Sequence, residues 1–370
     1  ELLLIGDEPH RPYDRPPLSK ELLRGEWDEE RIALRRKSYD ELDVELMLGR
    51  RAAALDTQSR IVRFEDGGLA SFDGLVIATG GVAKRLPGQP DLDGVWTLRT
   101  LDDALGIRAE LEKKPSVAVI GAGFIGAEIA ASARQLGLDV TMIEALDTPL
   151  LRGLGPELGL RMQEVHERHG VRVLCGRRVE RFEGTDRVVG LSLDDGTRVD
   201  CELVVVGVGM APATDWLEGS DVELGDGVVC DETLATSVPG IVAAGDVASW
   251  PNARFGERMR VEHWTNAVEQ ARHAVGTLLA GPGEAKPFES VPMFWSDQYD
   301  IKLQGIGRPR PGDEITIVED SDPEKLVAVY SRDEELTGAV AFSQPPKLIQ
   351  LRMLMAKRGS LDDALKIAHA

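Results

Sequence analysis

The sequence predicts an α/β fold with two tandem Rossmann-like dinucleotide-binding domains and a smaller C-terminal domain. Its 370 residues suffice for two or three domains, each with a hydrophobic core. A glycine-rich loop at 121–126 follows an apolar strand and opens a helix. An earlier segment repeats part of this unit, which indicates a duplicated domain.

Composition excludes several classes of function. The net charge of −20 argues against nonspecific binding to nucleic acid or anionic lipid. Hydrophobic residues make up 42% of the chain, so it is not globally disordered. No apolar run approaches the ~20 residues of a membrane span, and no signal peptide is visible. We therefore expect a cytoplasmic protein, monomeric or homodimeric, with neither a nucleic acid nor a membrane partner.

The region from 116 to 144 is predicted to form a complete nucleotide-binding unit. Residues 116–120 form a strand that is apolar on both faces, as in a parallel sheet covered by helices. The loop 121–126 follows at once, a helix is predicted over 127–136, and a second strand over 140–143. The acidic Glu144 ends this strand.

These residue types suit a dinucleotide. Glycines at Gly121, Gly123 and Gly126 let the backbone turn tightly and approach a pyrophosphate, whose charge lies at the helix N-terminus. Glu144 lies 18 residues beyond Gly126, where a carboxylate accepts hydrogen bonds from ribose hydroxyls. It would repel a 2′-phosphate, and no Arg follows it. The unit therefore favours NADH over NADPH.

The repeat lies at 65–80 and 194–209. In each copy an acidic-Gly turn precedes a β-branched run, and 13 positions separate Gly67 from Gly80 and Gly196 from Gly209. Residues 2–5 match the strand 140–143, which brings Asp7 or Glu8 to the place of Glu144. By this alignment the matching glycine loop lies roughly 15–20 residues before residue 1. We therefore expect the N-terminal βα unit of the first domain to be missing from this chain.

Seven segments, in order, resemble one known family. They are 11–20 (RPYDRPPLSK), 78–81 (ATGG), 98–104 (LRTLDDA), 121–128 (GAGFIGAE), 244–247 (AGDV), 262–267 (EHWTNA) and 294–300 (FWSDQYD). Together they are similar to the NADH-dependent, FAD-containing ferredoxin reductases of the putidaredoxin reductase type, which supply cytochrome P450s or Rieske oxygenases. The resemblance extends over essentially the whole chain, and its last two segments are specific to this subgroup.

The resemblance implies a role for each matching residue. The FAD contacts would be Asp7 at the adenosine ribose, Lys20 at the flavin, Ala52 at the adenine, Arg99 at the pyrophosphate, Asp246 at the ribitol, and Trp264 and Trp295 near the isoalloxazine. The NADH contacts would be Gly121, Gly123, Gly126 and Glu144, with Glu128 close to the nicotinamide carboxamide and Gly209 lining the same cleft. Lys20 and Glu128 are the candidate catalytic residues, and no metal site is expected.

The resemblance also implies the reaction. Hydride passes from NADH to the flavin, and two single electrons then leave for an acidic [2Fe–2S] ferredoxin that serves a monooxygenase or dioxygenase. Disulfide reductases of the same superfamily place a redox cysteine pair just before the Ser-Lys of 19–20, where this chain has Arg15, Pro16, Pro17 and Leu18. Because thiol–disulfide exchange needs a thiolate beside the flavin, that chemistry is excluded.

Two other functions stay open. One is a related NADH oxidoreductase whose acceptor is rubredoxin, oxygen or a quinone. The other is an FAD-free, non-catalytic NAD-binding protein, because the first glycine-rich loop is absent. The three domains are expected at 1–104 with 231–286 (FAD), 105–230 (NAD) and 287–370 (an α+β domain).

Several residues also have plainer interpretations. Lys20 could solvate a helix start, Trp264 and Trp295 could be core residues, Asp246 could be a helix N-cap, and Glu128 could be a first-turn acid. The cysteines Cys175, Cys201 and Cys230 are interpreted as buried small hydrophobes. An acidic ferredoxin needs a local basic patch, and the candidates, each equally well a solvated helix face, are Arg308, Arg310, Lys347, Arg352, Lys357 and Arg358.

Overall fold

The computed structural model describes residues 1–35, 37, 39–281, 283–320, 322 and 324–370. The strands within this part of the chain are β1 (Leu2–Ile5), β2 (Val44–Met47), β3 (Ala52–Asp56), β4 (Ile61–Phe64), β5 (Leu69–Ser71), β6 (Leu75–Ile77), β7 (Gly81–Ala83), β8 (Val95–Thr97), β9 (Val117–Ile120), β10 (Val140–Ile143), β11 (Arg172–Leu174), β12 (Val179–Gly184), β13 (Val188–Leu193), β14 (Arg198–Asp200), β15 (Leu203–Val206), β16 (Met210–Pro212), β17 (Leu224–Gly225), β18 (Gly227–Val229), β19 (Ile241–Ala243), β20 (Ala248–Asn252), β21 (Glu257–Arg260), β22 (Met293–Gln298), β23 (Ile301–Gly307), β24 (Glu314–Glu319), β25 (Leu326–Arg332) and β26 (Glu335–Phe342).

The α-helices of the same residues are α1 (Leu101–Leu111), α2 (Phe124–Gln135), α3 (Leu151–Leu154), α4 (Pro156–Arg168), α5 (Trp264–Ala280), α6 (Pro345–Ala356) and α7 (Leu361–His369). Of two short 3-10 turns, Pro16–Ser19 directly precedes the predicted site residue Lys20, and Gly245–Val247 contains Asp246. None of the helices in the described residues combines the length and apolar character that crossing a bilayer requires.

A five-stranded parallel sheet holds the predicted nucleotide-binding unit. Its strand order is β11-β10-β9-β15-β8, and every residue of β9 and β15 is buried. Helix α2 packs a small-residue face, including Ala127, Ala130 and Ala133, into the core of this sheet. The α/β fold class is confirmed, and so is the double-sided burial predicted for 116–120, except at Ser116, which precedes β9 and is half-buried.

Helix α2 begins three residues earlier than predicted, at Phe124 rather than Ala127. Gly123 is its N-cap, with extended backbone angles, and no side chain caps the first turn. The glycine loop therefore enters the helix directly, which leaves the first backbone N–H groups free for another acceptor.

The predicted repeat is present in the structure. In both copies a hairpin turn (β4 to β5, β13 to β14) precedes a parallel strand (β6, β15). The turn glycines have the same left-handed conformation, with φ 84° at Gly67 and 82° at Gly196. In each turn an Asp accepts a hydrogen bond from the backbone two residues later: Asp66 from Gly68, and Asp195 from Thr197.

On the other side of the molecule the strands form several smaller sheets instead of one broad sheet. Parallel pairs β1-β2 and β6-β19 lie beside the antiparallel groups β3-β4-β5 and β7-β16. The sheet β17-β18-β20-β21 is mixed, because its central strands β18 and β20 are parallel. Their shared core includes Trp250, Phe64 and Ile77.

The C-terminal residues form the predicted α+β unit. Its antiparallel sheet has the order β22-β23-β26-β25-β24. One face, with Val327 and Val329, packs on α6 and α7, where Leu348 and Leu351 form the predicted stripe. The other face packs on α3 and α4 of the nucleotide-binding unit through residues such as Tyr330. The third domain is therefore fixed against the second by a hydrophobic core.

The sheets also bear on the expected domain bounds, which stay a prediction. Strand β8 lies within 1–104 but pairs with β15, and the bound at 104 falls inside α1. Strands β16 to β18 lie within 105–230 but pair with β7 and β20. A division drawn along the sheets would therefore place β8 with the NAD unit and β16–β18 with the FAD unit.

Candidate functional site

The glycine loop is shaped by backbone contacts that exclude side chains. A Cβ on Gly126 would lie 1.9 Å from the carbonyl oxygen of Gly121, and one on Gly121 would lie 2.4 Å from that of Gly207. Gly121 also has φ +95°, which favours glycine. At Gly123, by contrast, a Cβ would meet nothing within 4 Å. The loop therefore combines a tightly packed base with an open cradle at the helix N-terminus, which fits a pyrophosphate.

Glu144 lies at the edge of this cradle. It directly follows β10, and its carboxylate accepts hydrogen bonds from the backbone N–H of Ala122 (2.6 Å) and of Leu146 (2.9 Å). Gly209 follows β15 across the sheet with φ +103° and open space beside its Cα. The structure brings Glu144 to the loop as the sequence requires of a ribose-binding acid.

Lys20 and Glu128 form a buried ion pair between the two halves of the molecule. Their relative exposures are 5% and 3%, and Lys20 Nζ lies 2.8 Å from Glu128 Oε2. The hydroxyl of Ser19 donates to the same oxygen, and that of Ser296 donates to Oε1 over 2.7 Å. The 3-10 turn Pro16–Ser19 positions Lys20, and α2 positions Glu128. The interpretation of Lys20 as a solvated helix start is wrong.

Arg99 and Asp246 form a second, looser pair. Their charged groups are 3.5 Å apart, at the start of α1 and in the 3-10 turn Gly245–Val247. Burial lowers the pKa of Arg99 and raises the pKa of Asp246, so each group lacks full solvation of its charge. Ala244, not Asp246, is the N-cap of the turn, so the N-cap interpretation of Asp246 is wrong.

Helix α5 contributes buried polar atoms that the sequence analysis missed. Asn266 Oδ1 and Gln270 Nε2 have no hydrogen-bond partner in the described structure, although Gln270 Oε1 accepts from the N–H of Gly245. Buried polar atoms normally find partners, so these two fit a bound polar group next to Asp246. The segment 262–267 pointed to this helix, but the residue Gln270 lies beyond it. Together with the Arg99–Asp246 pair, these atoms fit FAD.

Trp264 and Trp295 lie together rather than in separate cores. Their rings contact edge to face at 5.9 Å, and Trp264 Nε1 donates to Asp14 Oδ1 over 3.0 Å. Trp264 remains 43% exposed, so the interpretation as an ordinary core residue is wrong for it. The pair joins α5, β22 and the segment before Lys20.

Asp7 and Ala52 are not brought to this cluster by any contact seen in the described residues. Asp7 is exposed and lies two positions after the end of β1, whereas Glu144 directly follows β10. The neighbouring Glu8 accepts hydrogen bonds from Tyr13 and Arg15 instead. Ala52 begins β3 and is half-buried. Their roles stay predictions.

Of the three cysteines, Cys175 lies near Glu144, since it directly follows Leu174, whose carbonyl accepts from the N–H of Glu144. Cys201 and Cys230 are buried, as predicted, and Cys175 is half-buried. Burial raises the pKa of Cys201 and Cys230 to about 12 and that of Cys175 to about 11, which keeps the thiols protonated and unreactive. Among the described residues, no three His, Cys, Asp or Glu side chains are grouped to hold a metal ion.

Most of the basic candidates for partner docking are already engaged. Arg308 and Arg310 both pair with Glu257. Arg352 pairs with Glu269, and Lys347 donates to a backbone carbonyl. Lys357 and Arg358, at the C-terminal end of α6, are exposed.

A two-dinucleotide oxidoreductase is thus defined by the fold and by the paired groups at its centre. The comparisons agree: residues 1–271 match the family described as pyridine nucleotide-disulphide oxidoreductase, and residues 293–368 match the reductase C-terminal family. The chain belongs to the ferredoxin reductases within this family, as the sequence predicted, and this family uses FAD and NADH.

The relatives are similar over nearly their whole length. The chain is 38% identical to the 5,5'-dehydrodivanillate O-demethylase ferredoxin reductase subunit of Sphingobium sp., over 99% of this chain and 89% of the relative. It is 36% identical to the ferredoxin–NAD(+) reductase component of the p-cumate 2,3-dioxygenase system of Pseudomonas putida, over 98% and 88%. In the covalent putidaredoxin reductase–putidaredoxin complex, the matching chain has a TM-score of 0.91 and 30% identity, over 96% of this chain and 87% of that chain.

Proposed function

We propose that this chain is an FAD-dependent reductase that transfers electrons from NADH to a small, acidic [2Fe–2S] ferredoxin of a P450 or Rieske oxygenase system. One observation carries the proposal: the buried Lys20–Glu128 pair links the glycine-loop helix α2 to the segment that leads to Trp264 and Trp295. Such a junction is where two dinucleotides must meet for hydride to pass between them.

On the NADH side, the protein supplies backbone N–H groups and one carboxylate as ligands for the dinucleotide. The free N–H groups at the start of α2 would hold the pyrophosphate, and Glu144 would hold the ribose hydroxyls. Because Glu144 is fixed by two backbone hydrogen bonds, it cannot swing away to admit a 2′-phosphate without losing them. NADH is therefore the preferred donor.

On the FAD side, Arg99, Asp246, Asn266 and Gln270 would hold the polar parts of the cofactor. When bound, FAD supplies an acceptor that takes two electrons together and releases them singly. The chain's own contribution is positioning and electrostatics: Lys20 and Glu128 place one positive and one negative group in a site shielded from water.

The absence of a thiol near Lys20 supports direct electron transfer to a protein acceptor. The sequence has no cysteine before Cys175. A ferredoxin docks by charge, and of the six basic candidates Lys357 and Arg358 are the two exposed ones outside the ion pairs described above, so they are assigned to the acidic partner.

The test uses the visible spectrum of the purified chain, before and after addition of NADH. A flavin band that NADH bleaches, followed by reduction of an acidic [2Fe–2S] ferredoxin with kcat/KM at least tenfold above that with rubredoxin, a quinone or oxygen, is the expected result. A flavin-free chain, even after incubation with FAD, would contradict the proposal and favour a non-catalytic NAD-binding protein. A bleached band with another preferred acceptor would overturn only the ferredoxin assignment.

A further inference from the structure

Strand β22 presents alternate residues to the nucleotide-binding unit. The Phe294 ring lies 4.7 Å from that of Phe124, and the Ser296 hydroxyl lies 2.7 Å from Glu128 Oε1. Phe124 and Glu128 are one turn apart on α2, so the strand follows the helix. Gln298, the next residue on this face, reaches a different helix, α4.

From Gln298 a line of hydrogen bonds continues away from Glu128. Gln298 Oε1 lies 2.9 Å from His166 Nε2, and His166 Nδ1 lies 3.0 Å from the Tyr299 hydroxyl. Gln298 Nε2 lies 3.0 Å from Ser296 Oγ. We call Ser296, Gln298, His166 and Tyr299 the support chain. Ser296, Gln298 and His166 each have 0% exposure.

The chemistry of the groups gives the support chain one direction. A carboxylate only accepts, so the Ser296 hydroxyl donates its proton to Glu128 and must accept from Gln298 Nε2. The amide oxygen of Gln298 then faces His166 and takes the Nε2–H. His166 Nδ1 is left to accept from the Tyr299 hydroxyl. Every donor therefore points toward Glu128, and bonds aligned in this way strengthen one another.

The surroundings hold the groups in the protonation states that this direction needs. Burial lowers the pKa of His166 to about 4, so the imidazole is neutral at ordinary pH. Burial also raises the pKa of Tyr299, which keeps its hydroxyl protonated. Each group can thus donate or accept as the direction requires.

Tyr299 itself is held in an unfavourable backbone conformation. It lies in the two-residue hairpin between Gln298 and Ile301 with φ +56°, where Asn or Gly is preferred. Its ring stacks on His169 at 3.7 Å, with the planes 8° apart. A tyrosine at this position is explained by its side-chain contacts rather than by the turn.

We propose that the support chain positions Glu128: through it the C-terminal domain fixes the carboxylate against Lys20 and sets the electrostatics of the hydride-transfer site. This inference rests on the proposed function, because it assigns Glu128 to that site. Ser296, Gln298, His166 and Tyr299 are positioning residues, since each acts through Glu128.

The test is a double-mutant cycle in the FAD-loaded protein, with Gln298→Leu, Glu128→Gln and the double variant. Gln298→Leu should slow single-turnover reduction by NADH about fivefold, as expected for loss of one buried hydrogen bond. It should also shift the flavin midpoint potential in the same direction as Glu128→Gln. Neither effect should appear when Gln298→Leu is added to Glu128→Gln.

Three further variants keep the test decisive. Ser296→Ala should have a larger effect than Gln298→Leu, because it removes the hydroxyl that contacts Glu128 directly. Tyr299→Phe should have a smaller effect than Gln298→Leu, because it removes only the hydroxyl at the far end of the support chain. Gln344→Leu is the matched control: Gln344 donates one hydrogen bond to Asp320 in the same domain and does not join the support chain. It should change neither rate nor potential.

The outcomes separate the two proposals. Effects of Gln298→Leu that persist in the Glu128→Gln background, or that equal those of Gln344→Leu, would overturn the support chain and leave the proposed function intact. If Glu128→Gln itself alters neither rate nor potential while NADH still reduces the flavin, the support chain is overturned together with the assigned role of Glu128. Loss of flavin reduction in the unmodified chain would instead contradict the proposed function.

Discussion

The two dinucleotide units of this protein are built by different means. In the NAD unit, one broad parallel sheet and a glycine loop define the site, and the backbone itself excludes side chains at Gly121 and Gly126. In the FAD unit the strands form small sheets, and side chains are paired instead: Arg99–Asp246 lies within the unit, and Lys20–Glu128 joins it to α2 of the NAD unit. We therefore expect the NAD site, which is formed by backbone, to respond most to added side-chain volume. The FAD site, which is formed by paired side chains, should respond most to the loss of a charge.

The largest effect on activity should come from adding side-chain volume to the glycine loop of the NAD unit. In Gly126→Ala the new Cβ would overlap the carbonyl of Gly121, so the loop must shift. Because displacement of about 1 Å at a reacting centre lowers rates by about 100-fold, we expect kcat/KM for NADH to fall at least that far. Steady-state kinetics and thermal denaturation measure this.

Gly123→Ala provides the matched control for Gly126→Ala. Its Cβ would enter open space, and its φ of −72° suits alanine. We expect an unchanged Tm and weaker NADH binding, because the methyl group enters the cradle. If both variants behave alike, the loop is not shaped by the contact between Gly126 and Gly121.

The second-largest effect should come from removing one charge of the buried Lys20–Glu128 pair. Lys20→Met leaves the Glu128 carboxylate buried without its cation, which lowers the free energy of unfolding by about 3–5 kcal/mol. Reduction of the flavin by NADH should also slow, and its potential should fall because a positive charge is lost. Chemical denaturation and spectroelectrochemistry measure the two quantities.

Adding Glu128→Gln to Lys20→Met removes the uncompensated charge. The double variant should regain most of the stability but not the rate of flavin reduction. If the single variant is as stable as the unmodified protein, the ion pair does not contribute as its burial implies.

A smaller effect concerns pH and His166. The pKa of His166 is about 4 in the folded protein and about 6.5 in the unfolded chain, so the unfolded state binds more protons between these values. Stability is therefore complete above about pH 6.5 and is lost as the pH falls toward 4; from pH 7 to pH 5 the loss from this residue is about 2 kcal/mol. Urea denaturation of His166→Gln at both pH values should show a weaker pH dependence.

His273→Gln is the matched control for this measurement. His273 is partly exposed, and its Nε2–H donates to the backbone carbonyl oxygen of Lys286. Its variant should retain the full pH dependence. An equal reduction in both variants would show that burial of His166 is not the cause.

The smallest effect should appear at the surface. Lys357→Gln with Arg358→Gln should raise KM for an acidic ferredoxin about threefold at low salt, with the difference lost at high salt. Arg308→Gln with Arg310→Gln should have less effect, since both residues already pair with Glu257. A larger increase in KM for the Arg308 and Arg310 variant would indicate that the ferredoxin docks there instead.

The sequence predicted the NAD unit better than the FAD unit, and the reason is physical. Strand, loop, helix and Glu144 are neighbours along the chain, so periodicity and glycine spacing reveal them. Lys20 and Glu128 are 108 residues apart, and their pairing depends on how two units pack. The motif match identified both residues, but no local pattern indicates that one neutralises the other.

The same limit explains the residues that were missed or misread. Gln270 matters because its amide faces Gly245 within the fold, which helix periodicity alone does not reveal. Arg308 and Arg310 looked available because their partner Glu257 lies about fifty positions away. The sequence predicts the start of α2 at Ala127 instead of Phe124, because Phe124 packs against Phe294 of the third domain, a contact that no local pattern shows.

Strand β22 carries a consequence for how this protein can change during evolution. Its alternate residues face two sites, Ser296 toward Glu128 and Trp295 toward Trp264. A substitution alters one face at a time, but inserting or deleting a single residue would exchange the two faces along the rest of the strand. Inserting or deleting a residue within β22 is therefore not tolerated, so its six residues must be inherited as a block.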